Sequence, residues 1–206
     1  MRTSASRPAG PTSNGRPLAA KRDFDDMALL HGVARGDKGA MRSLFLQHRL
    51  YVYRFLLRLL NNAPLAEDLT SEVFLDVWRQ SGQFEGRSTV ATWMLAIARN
   101  KALATLRRQH HAPFDEAELE TIEDTADNPE TAVQKIDRSR LLRQILADLP
   151  IKHREIIDLV YYHEKSLPEV ATILGILHDT AKTRLFYARK HIAKRLKEAS
   201  LDRACM

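Results

Sequence analysis

The chain has only one cysteine, Cys205, among its 206 residues. One thiol cannot form an intrachain disulfide, nor can it supply a zinc site that needs several thiolates. No apolar run approaches the length of about 18 residues that a membrane-spanning helix requires. H-E-x-x-H, a Gly-rich phosphate loop and G-x-S-x-G are also missing. We therefore expect no disulfide framework, membrane insertion, metal, cofactor or catalytic residue, and an enzyme is the weakest interpretation.

Charge, in contrast, is abundant and is arranged in blocks. Apolar residues make up 44% of the chain, enough for packed cores, and 32 Lys and Arg outnumber 26 Asp and Glu. Residues 1–22 carry five basic side chains and no acid among Ser, Pro, Gly and Ala, which predicts a disordered basic tail. This tail lacks the apolar face of a transit peptide. The overall excess of +6 weakly favours a polyanionic partner.

The sign of the charge reverses in the middle of the chain. From His111 to Glu130, inclusive, there are eight acids and no Lys or Arg. A structureless stretch of this length is unusual inside one compact domain, so residues 110–129 are predicted to be a flexible linker. As a coil it would span about 25 Å.

Apolar stripes with the 3.6-residue period of a helix run through the remaining sequence. They predict helices near 24–35, 38–60, 64–81, 89–109, 130–148, 152–163, 167–174 and 179–198. Asn62 and Ser166 are expected helix caps, the latter in a capping box with Glu169, and Gly175 is expected to end a helix. The predicted fold class is all-α, with two small helical domains. The predicted divisions are a tail at 1–22, a four-helix domain at 23–109, the linker at 110–129, a helix-turn-helix domain at 130–199 and a tail at 200–206.

The last two predicted helices form a helix-turn-helix pattern, with Asp179 as the expected cap of the second helix. Residues 179–198 contain seven Lys and Arg against two acids. One face of this helix is apolar (Ala181, Leu185, Ala188, Ile192, Leu196) and the opposite face is polar and cationic. Such a helix can pack on its own domain and enter a DNA major groove. A basic, solvated surface helix is the alternative.

Two surfaces of the first domain are also unusual. Asp68, Glu72 and Asp76 recur every four residues, so they share one stripe of a helix, where like charges repel. The residues alone leave a solvated face and a docking site for a cationic partner equally open. A Gly-flanked loop at 82–88 precedes a helix with Arg and Asn on one face, a combination that suits single-stranded nucleic acid. Trp93 is assigned to the core, whereas Phe84 could be either a core anchor or a base-stacking aromatic.

Three stretches together resemble the bacterial sigma factors of the extracytoplasmic-function (ECF) group. They are AEDLTSEVFLDVW (66–78), TWMLAIARNKALATLRR (92–108) and residues 149–190, and the similarity covers about residues 25–198. The resemblance implies that 23–109 is sigma region 2 and 130–199 is sigma region 4. Many members have Gln where this chain has Ser71.

The resemblance also implies roles for individual residues. Region 2 would bind the clamp helices of the largest RNA polymerase subunit through Asp68, Ser71, Glu72 and Asp76. The same region would recognise and open the minus-ten promoter element through Phe84, Arg87, Ser88, Thr92, Arg99, Asn100 and Arg107. Region 4 would rest on the polymerase flap and read the minus-thirty-five element through Thr180, Lys182, Thr183, Arg184, Tyr187 and Lys190.

The implied protein is a cytoplasmic, non-enzymatic initiation factor that binds RNA polymerase core and promoter DNA. Members of this group are commonly inhibited by a dedicated anti-sigma factor, so such a partner is also implied. Two rivals remain at the level of sequence. One is a helix-turn-helix repressor or activator that binds duplex DNA without polymerase. The other is a helical adaptor protein whose basic helix is merely solvated.

Overall fold

The computed structural model describes residues 16–109, 141–142 and 144–204, and within these ranges the regular structure is helical. The first lobe contains α1 (Arg16–Ala34), α2 (Lys38–Leu60), α3 (Ala63–Gln80) and α4 (Val90–Gln109). The second lobe contains helical residues 144–147, α5 (Ile151–Ile157), α6 (Leu167–Leu174) and α7 (His178–Ala204). The predicted all-α fold with two lobes is confirmed.

Local capping works largely as the sequence predicted. The Asn62 side chain accepts a hydrogen bond from the backbone N–H of Leu65 (3.0 Å) and so caps α3. At the start of α6, the Glu169 carboxylate accepts from both the backbone N–H (2.9 Å) and the hydroxyl (2.7 Å) of Ser166. Gly175 ends α6 with a left-handed φ of 63°, a conformation that costs glycine little.

Each lobe has its own buried apolar side chains, drawn from several helices. In the first lobe they include Leu30, Leu44, Phe55, Val73 and Met94, and in the second Ile156, Leu159, Val170, Leu174 and Leu185. The stripe predicted for the last helix is buried at Ala181, Leu185 and Ala188. The back of α7 is therefore anchored to its own lobe, which leaves its front available for other contacts.

The two lobes are not independent of each other. Helices α2 and α4 of the first lobe lie against α5, α6 and the intervening turn of the second. The sequence predicted two separate lobes joined by a flexible linker, but in the structure the lobes pack against each other. Charged side chains from opposite lobes form contacts across this interface. Thr183, Tyr187 and Lys190 nevertheless remain exposed.

Three local predictions are wrong. Helix α1 begins at Arg16 rather than near residue 24, so part of the tail expected to be disordered is helical. Helix α7 continues to Ala204, beyond the predicted end at 198 and into the expected tail at 200–206. Both extensions contain Leu, Ala and Arg, which are good helix formers whatever the local hydrophobic pattern. The third error concerns Asp179, which was predicted to cap the helix. It lies instead in the first turn of α7, where its negative charge interacts favourably with the helix dipole.

The helix predicted at 152–163 also differs in kind. The α-helix ends at Ile157, and residues 158–162 continue as one π-helical turn that closes at His163, whose N–H bonds to the carbonyl of Asp158 (3.0 Å). Such turns are rare and often coincide with functional positions.

Several predictions fall outside the described residues. These are the linker at 110–129, most of the helix at 130–148 and residues 1–15 of the basic tail.

Candidate nucleic-acid interface

The front of α7 carries the side chains predicted to read duplex DNA. Because Ala181, Leu185 and Ala188 face the core, the residues between them on the helix face outward. Five of the six predicted contact residues are exposed: Thr180, Lys182, Thr183, Tyr187 and Lys190. The structure therefore presents a polar, cationic helix face that could lie in a major groove.

Arg184, the sixth predicted contact, is engaged elsewhere. Its side chain is only 16% exposed and donates to the Glu155 carboxylate at 2.9 Å. Glu155 lies on α5 and is itself buried. In this arrangement the Arg184 guanidinium faces the second lobe's own carboxylate rather than the open groove.

A cleft beside α7 adds basic side chains that sequence reasoning missed. Lys152 and His153 of α5 line it together with Thr183 and Tyr187, and it continues toward His191. The His153 and His191 rings meet edge to face with their centroids 6.2 Å apart. The sequence signal was a basic pair at the start of α5, but only the helix packing shows that this pair faces the same side as α7.

The loop between α3 and α4 places its aromatic side chain against the first lobe. Phe84 is half-buried and lies 5.1 Å from Trp93, centroid to centroid, with the ring planes tilted by 47°. Arg87 is highly exposed and pairs with Glu85 at 2.9 Å. The Ser88 hydroxyl donates to the Thr89 carbonyl at 3.3 Å. Phe84 is thus a partly exposed anchor, and Arg87 is an open cation of the loop.

The predicted residues on α4 divide into two groups. Asn100 and Arg107 are exposed, whereas Thr92 is 0% and Arg99 7% exposed. The Thr92 hydroxyl donates to Glu169 of the second lobe at 3.1 Å. Arg99 forms a two-pronged ion pair with Glu155, at 2.7 Å from Nε and 3.2 Å from Nη2. The structure therefore does not bring the seven predicted minus-ten residues onto one open surface.

The acidic stripe on α3 is partly neutralised from within the lobe. Asp68 and Ser71 are exposed, but Glu72 and Asp76 both contact the ammonium group of Lys101, at 3.1 and 2.9 Å. Partial burial of Lys101 opposes its charge, but the hydrogen bonds that it donates to Asp76 and Glu72 outweigh that effect and raise its pKa. The strongest free negative charge of the stripe therefore lies toward Asp68.

Next to Ser71, an apolar groove runs between α2 and α3. It is lined by Met41, Phe45, Phe74, Leu75 and Trp78, with Lys38 at its edge. The Phe45 and Phe74 rings pack edge to face at 4.9 Å, and Leu75 is 54% exposed. Sequence reasoning missed this groove because Leu75 lies off the main apolar stripe of α3. An acidic edge beside an apolar groove suits a basic amphipathic helix.

Comparisons with known proteins agree on one family. The Sigma-70 region 2 model matches residues 44–112 and the Sigma-70 region 4 model matches residues 139–192. The ECF RNA polymerase sigma factor SigW of Bacillus subtilis is 30% identical over 175 residues, which are 81% of this chain and 94% of SigW. The chain belongs to the ECF sigma factor family. The ECF sigma factor SigL of Mycobacterium tuberculosis is 29% identical over 178 residues, covering 86% of this sigma factor and all of SigL.

A solved structure shares the fold of this sigma factor. The sigma factor RpoE of Bartonella quintana, crystallised with the anti-sigma factor NepR, superposes with a TM-score of 0.60 at 23% identity. The match covers 76% of this chain and 96% of RpoE. The region 2 match contains α3, the loop and α4, and the region 4 match contains α5 and α6 with most of α7.

Two further properties concern the described part of this sigma factor. None of its helices is both long and apolar enough to span a membrane. Within the same residues, no group of three or more His, Cys, Asp and Glu side chains is arranged to hold a metal ion.

Proposed function

We propose that this ECF sigma factor directs RNA polymerase core to promoters with α7 as its reader of the minus-thirty-five element. The observation that carries the proposal is the division of α7 into a buried back and an exposed front. Thr180 and Thr183 lie near the helix start, where side chains reach base edges, and Tyr187 lies further along the same exposed face, while Lys182 and Lys190 suit phosphates. Lys152 and His153 extend the phosphate-binding surface to α5.

The minus-ten surface in this proposal uses the loop after α3 and the outer face of α4. Arg87, Asn100 and Arg107 are exposed and Phe84 is only half-buried, so these four can meet separated strands directly. Thr92, Ser88 and Arg99 belong to the same proposed surface. Because Thr92 and Arg99 are covered by the second lobe, their part in promoter opening requires the lobes to move apart.

Polymerase binding in this proposal centres on α3. Asp68, Ser71, Glu72 and Asp76 form the polar edge, and the adjoining groove at Phe45, Phe74 and Leu75 supplies apolar area for the clamp helices. Region 4 rests on the flap. The protein acts in the cytoplasm by binding alone and without catalysis, with an anti-sigma factor as inhibitor. The anti-sigma assignment is supported by the fold shared with a sigma factor solved in such a complex.

A transcription assay tests this function and does not require a known promoter sequence. Purified chain and RNA polymerase core are incubated with a library of DNA fragments that is randomised upstream of a fixed transcribed region. The 5′ ends of the RNA are then sequenced. We expect enrichment of a two-part upstream motif that core alone does not enrich. Equal, motif-free initiation with and without the chain would overturn the proposal, and tight site-specific binding in the absence of core would favour an independent repressor or activator.

A further inference from the structure

Two imidazole rings face each other in the cleft beside α7. His153 lies on α5 and His191 on α7, and their ring centroids are 6.2 Å apart with the rings edge to face. Both side chains are half-buried. His153 and Tyr187 line both parts of the cleft, so the histidine pair lies beside a side chain of the proposed reading face. The pair is therefore continuous with the exposed front of α7.

The position of the pair suits a phosphate group of the DNA backbone. A recognition helix in a major groove has a backbone strand on each side, so side chains beside the reading face meet phosphates rather than base edges. Tyr187 and His191 are four residues apart on α7 and share the side of the helix that faces α5. One phosphate at the pair would thus be contacted from two helices of the second lobe.

The other charged groups of the cleft leave it with a positive excess. Asp148 pairs with Arg195 at 3.2 Å, and Glu198 pairs with Lys194 at 3.9 Å and with Arg195 at 4.0 Å. Five Lys and Arg therefore line the cleft against three acids, and protonation of the histidines would add to this excess. The titratable and charged groups that line the cleft with the pair are Lys152 of α5, Asp148 in the turn before α5, and Asp179, Arg184, Tyr187, Lys190, Lys194, Arg195 and Glu198 of α7.

Imidazole chemistry makes such a phosphate contact depend on pH. Histidine is the side chain whose charge ordinarily changes between about pH 5 and pH 8. A neutral ring has one N–H donor, whereas a protonated ring has two and carries a positive charge. Two protonated rings this close to each other repel, and a phosphate between them replaces that repulsion by attraction. Binding of a phosphate at the pair is therefore expected to take up a proton.

We propose that His153 and His191 form a proton-coupled clamp for one phosphate of the minus-thirty-five backbone. The proposal deepens the function proposed above and rests on its assignment of α7 as the DNA reader. The clamp contributes affinity without sequence preference, because it contacts the backbone and not the bases. Since the DNA-bound protein holds more protons than the free protein, the affinity for duplex DNA rises as the pH falls from about 8 to about 6.

The central test measures duplex binding at two pH values. Holoenzyme assembled from the full-length chain and core is titrated onto a fluorescent minus-thirty-five duplex, taken from a promoter selected from the randomised library, at constant ionic strength. A hydrogen bond to a charged group corresponds to about a tenfold change of affinity, so the wild type should bind about tenfold more tightly at about pH 6 than at about pH 8. His153→Gln combined with His191→Gln should bind equally at both pH values, because the amide does not titrate.

A second measurement follows the proton itself. Calorimetric titrations of the same holoenzyme and duplex at about pH 7, in two buffers with different ionisation enthalpies, give the number of protons taken up on binding. The wild type should take up more protons than the double variant. If the double variant has lost helicity by circular dichroism, His191→Gln alone carries the comparison in both assays, and an unchanged pH response and proton uptake in that variant would contradict the clamp.

His178→Gln is the matched control, since it makes the same change on the same helix. His178 is exposed, its described ion pair is with Asp179 at 3.8 Å, and it is not one of the residues that line the cleft. We expect this variant to keep the wild-type pH response. The same pH response in the wild type and the well-folded double variant, or loss of the response in His178→Gln, would overturn the clamp while the sigma function stands.

Failure of the sigma function itself would be distinguishable. In that case the randomised library yields no motif, and the clamp is judged with the full-length chain alone on a duplex of arbitrary sequence at low salt, because phosphate contacts do not depend on sequence. A larger gain of affinity at about pH 6 in the wild type than in the double variant would support the clamp there. Equal gains would overturn it.

Discussion

The front of α7 and the inner face of α4 were both predicted to read promoter DNA, yet they differ in their exposure to solvent. Thr183, Tyr187 and Lys190 are open to solvent, whereas Thr92 and Arg99 are buried against the second lobe. Both helices have an apolar back and a polar front. The difference is that the front of α4 meets acidic partners, Glu155 and Glu169, on the other lobe. A polar helix face is therefore available only if no complementary face of the same chain covers it.

This contrast suggests an order of events in promoter recognition. The front of α7 can contact duplex DNA in the closed form, in which the lobes pack together, while the inner face of α4 becomes available only after opening. Duplex recognition and strand capture would then depend on different conformations of one chain. Variants on the two helices should consequently fail in distinguishable ways.

The largest effect is expected from the open surface. Tyr187→Ala combined with Lys190→Ala removes a proposed base-reading side chain and a proposed phosphate contact from α7. Loss of one base contact costs about 1–3 kcal/mol, and loss of one phosphate contact lowers the salt dependence by about one unit. Binding of holoenzyme to a duplex minus-thirty-five probe should weaken about 100-fold by fluorescence anisotropy.

Two measurements make that prediction specific. The salt slope should fall in the double variant, whereas chain compactness should not change because both side chains are exposed on the front of α7. Lys197→Ala is a matched control that removes a lysine further along α7, beyond the proposed contacts. If the control weakened binding as much as the double variant, the assigned reading face would be wrong.

A smaller effect distinguishes the covered from the open side of α4. Thr92→Val removes the hydroxyl that donates to Glu169 while keeping the shape of the side chain, and a typical hydrogen bond contributes about 1 kcal/mol. We expect it to shift the lobes toward the open form about fivefold, seen as an increased radius of gyration.

Asn100→Ala on the exposed side of the same helix should have the opposite signature. It leaves the compactness of the free chain unchanged but lowers the permanganate reactivity of unpaired thymines in the promoter complex. Equal behaviour of Thr92→Val and Asn100→Ala in both assays would contradict the division of α4 into a covered and an open side.

How far the sequence could predict this arrangement depends on the distance between the partners. The caps at Asn62 and Gly175 and the two faces of α7 follow from patterns within a few residues, and these predictions were correct. The Arg99–Glu155 pair spans 56 positions, and no local pattern connects its members. The covered face of α4 was therefore invisible to helical periodicity, which finds a polar face but not what packs on it.

The acidic stripe illustrates the same limit within one lobe. Its spacing on α3 was evident in the sequence, but the position of Lys101 on α4 beside Glu72 and Asp76 was not. The early start of α1 has a different cause. There, a composition typical of disorder was given more weight than the helix-forming preference of the run Leu-Ala-Ala-Lys-Arg.

The pH dependence of folding offers a test of the Glu169 contacts. Burial opposes the charge of Glu169, but hydrogen bonds from Ser166 and the charge of Lys165 outweigh it and lower the pKa below the usual 4.5. A lowered carboxyl pKa contributes stability that is present above pH 4.5 and is lost as the pH falls through the folded-state value. Glu169→Gln should lower the free energy of unfolding by about 1 kcal/mol at pH 7.

The loss of unfolding free energy in Glu169→Gln, relative to the wild type, should become smaller at acidic pH. Urea unfolding at about pH 7 and about pH 3.5 measures both values, and the difference between Glu169→Gln and the wild type should shrink at the lower pH. Glu164→Gln, an exposed neighbour, is the control. A difference independent of pH would mean that the ionised carboxylate of Glu169 is not what these contacts stabilise.

The smallest effect is expected at Lys101, whose ammonium group pairs with Glu72 and Asp76 of the acidic stripe on α3. Lys101→Met leaves Glu72 and Asp76 without this partner at a spacing where like charges on a helix cost about 0.2–0.5 kcal/mol. The variant should be slightly less stable to urea, yet the α3 stripe becomes more negative. If the stripe meets a cationic clamp surface, the affinity for core should increase, and the increase should be larger at low salt because high salt screens exposed charges.

Asp68→Asn should lower the affinity for core, since Asp68 is exposed and carries charge not held by Lys101. Unchanged core affinity in both variants would show that α3 binds through its apolar groove and not through its charge.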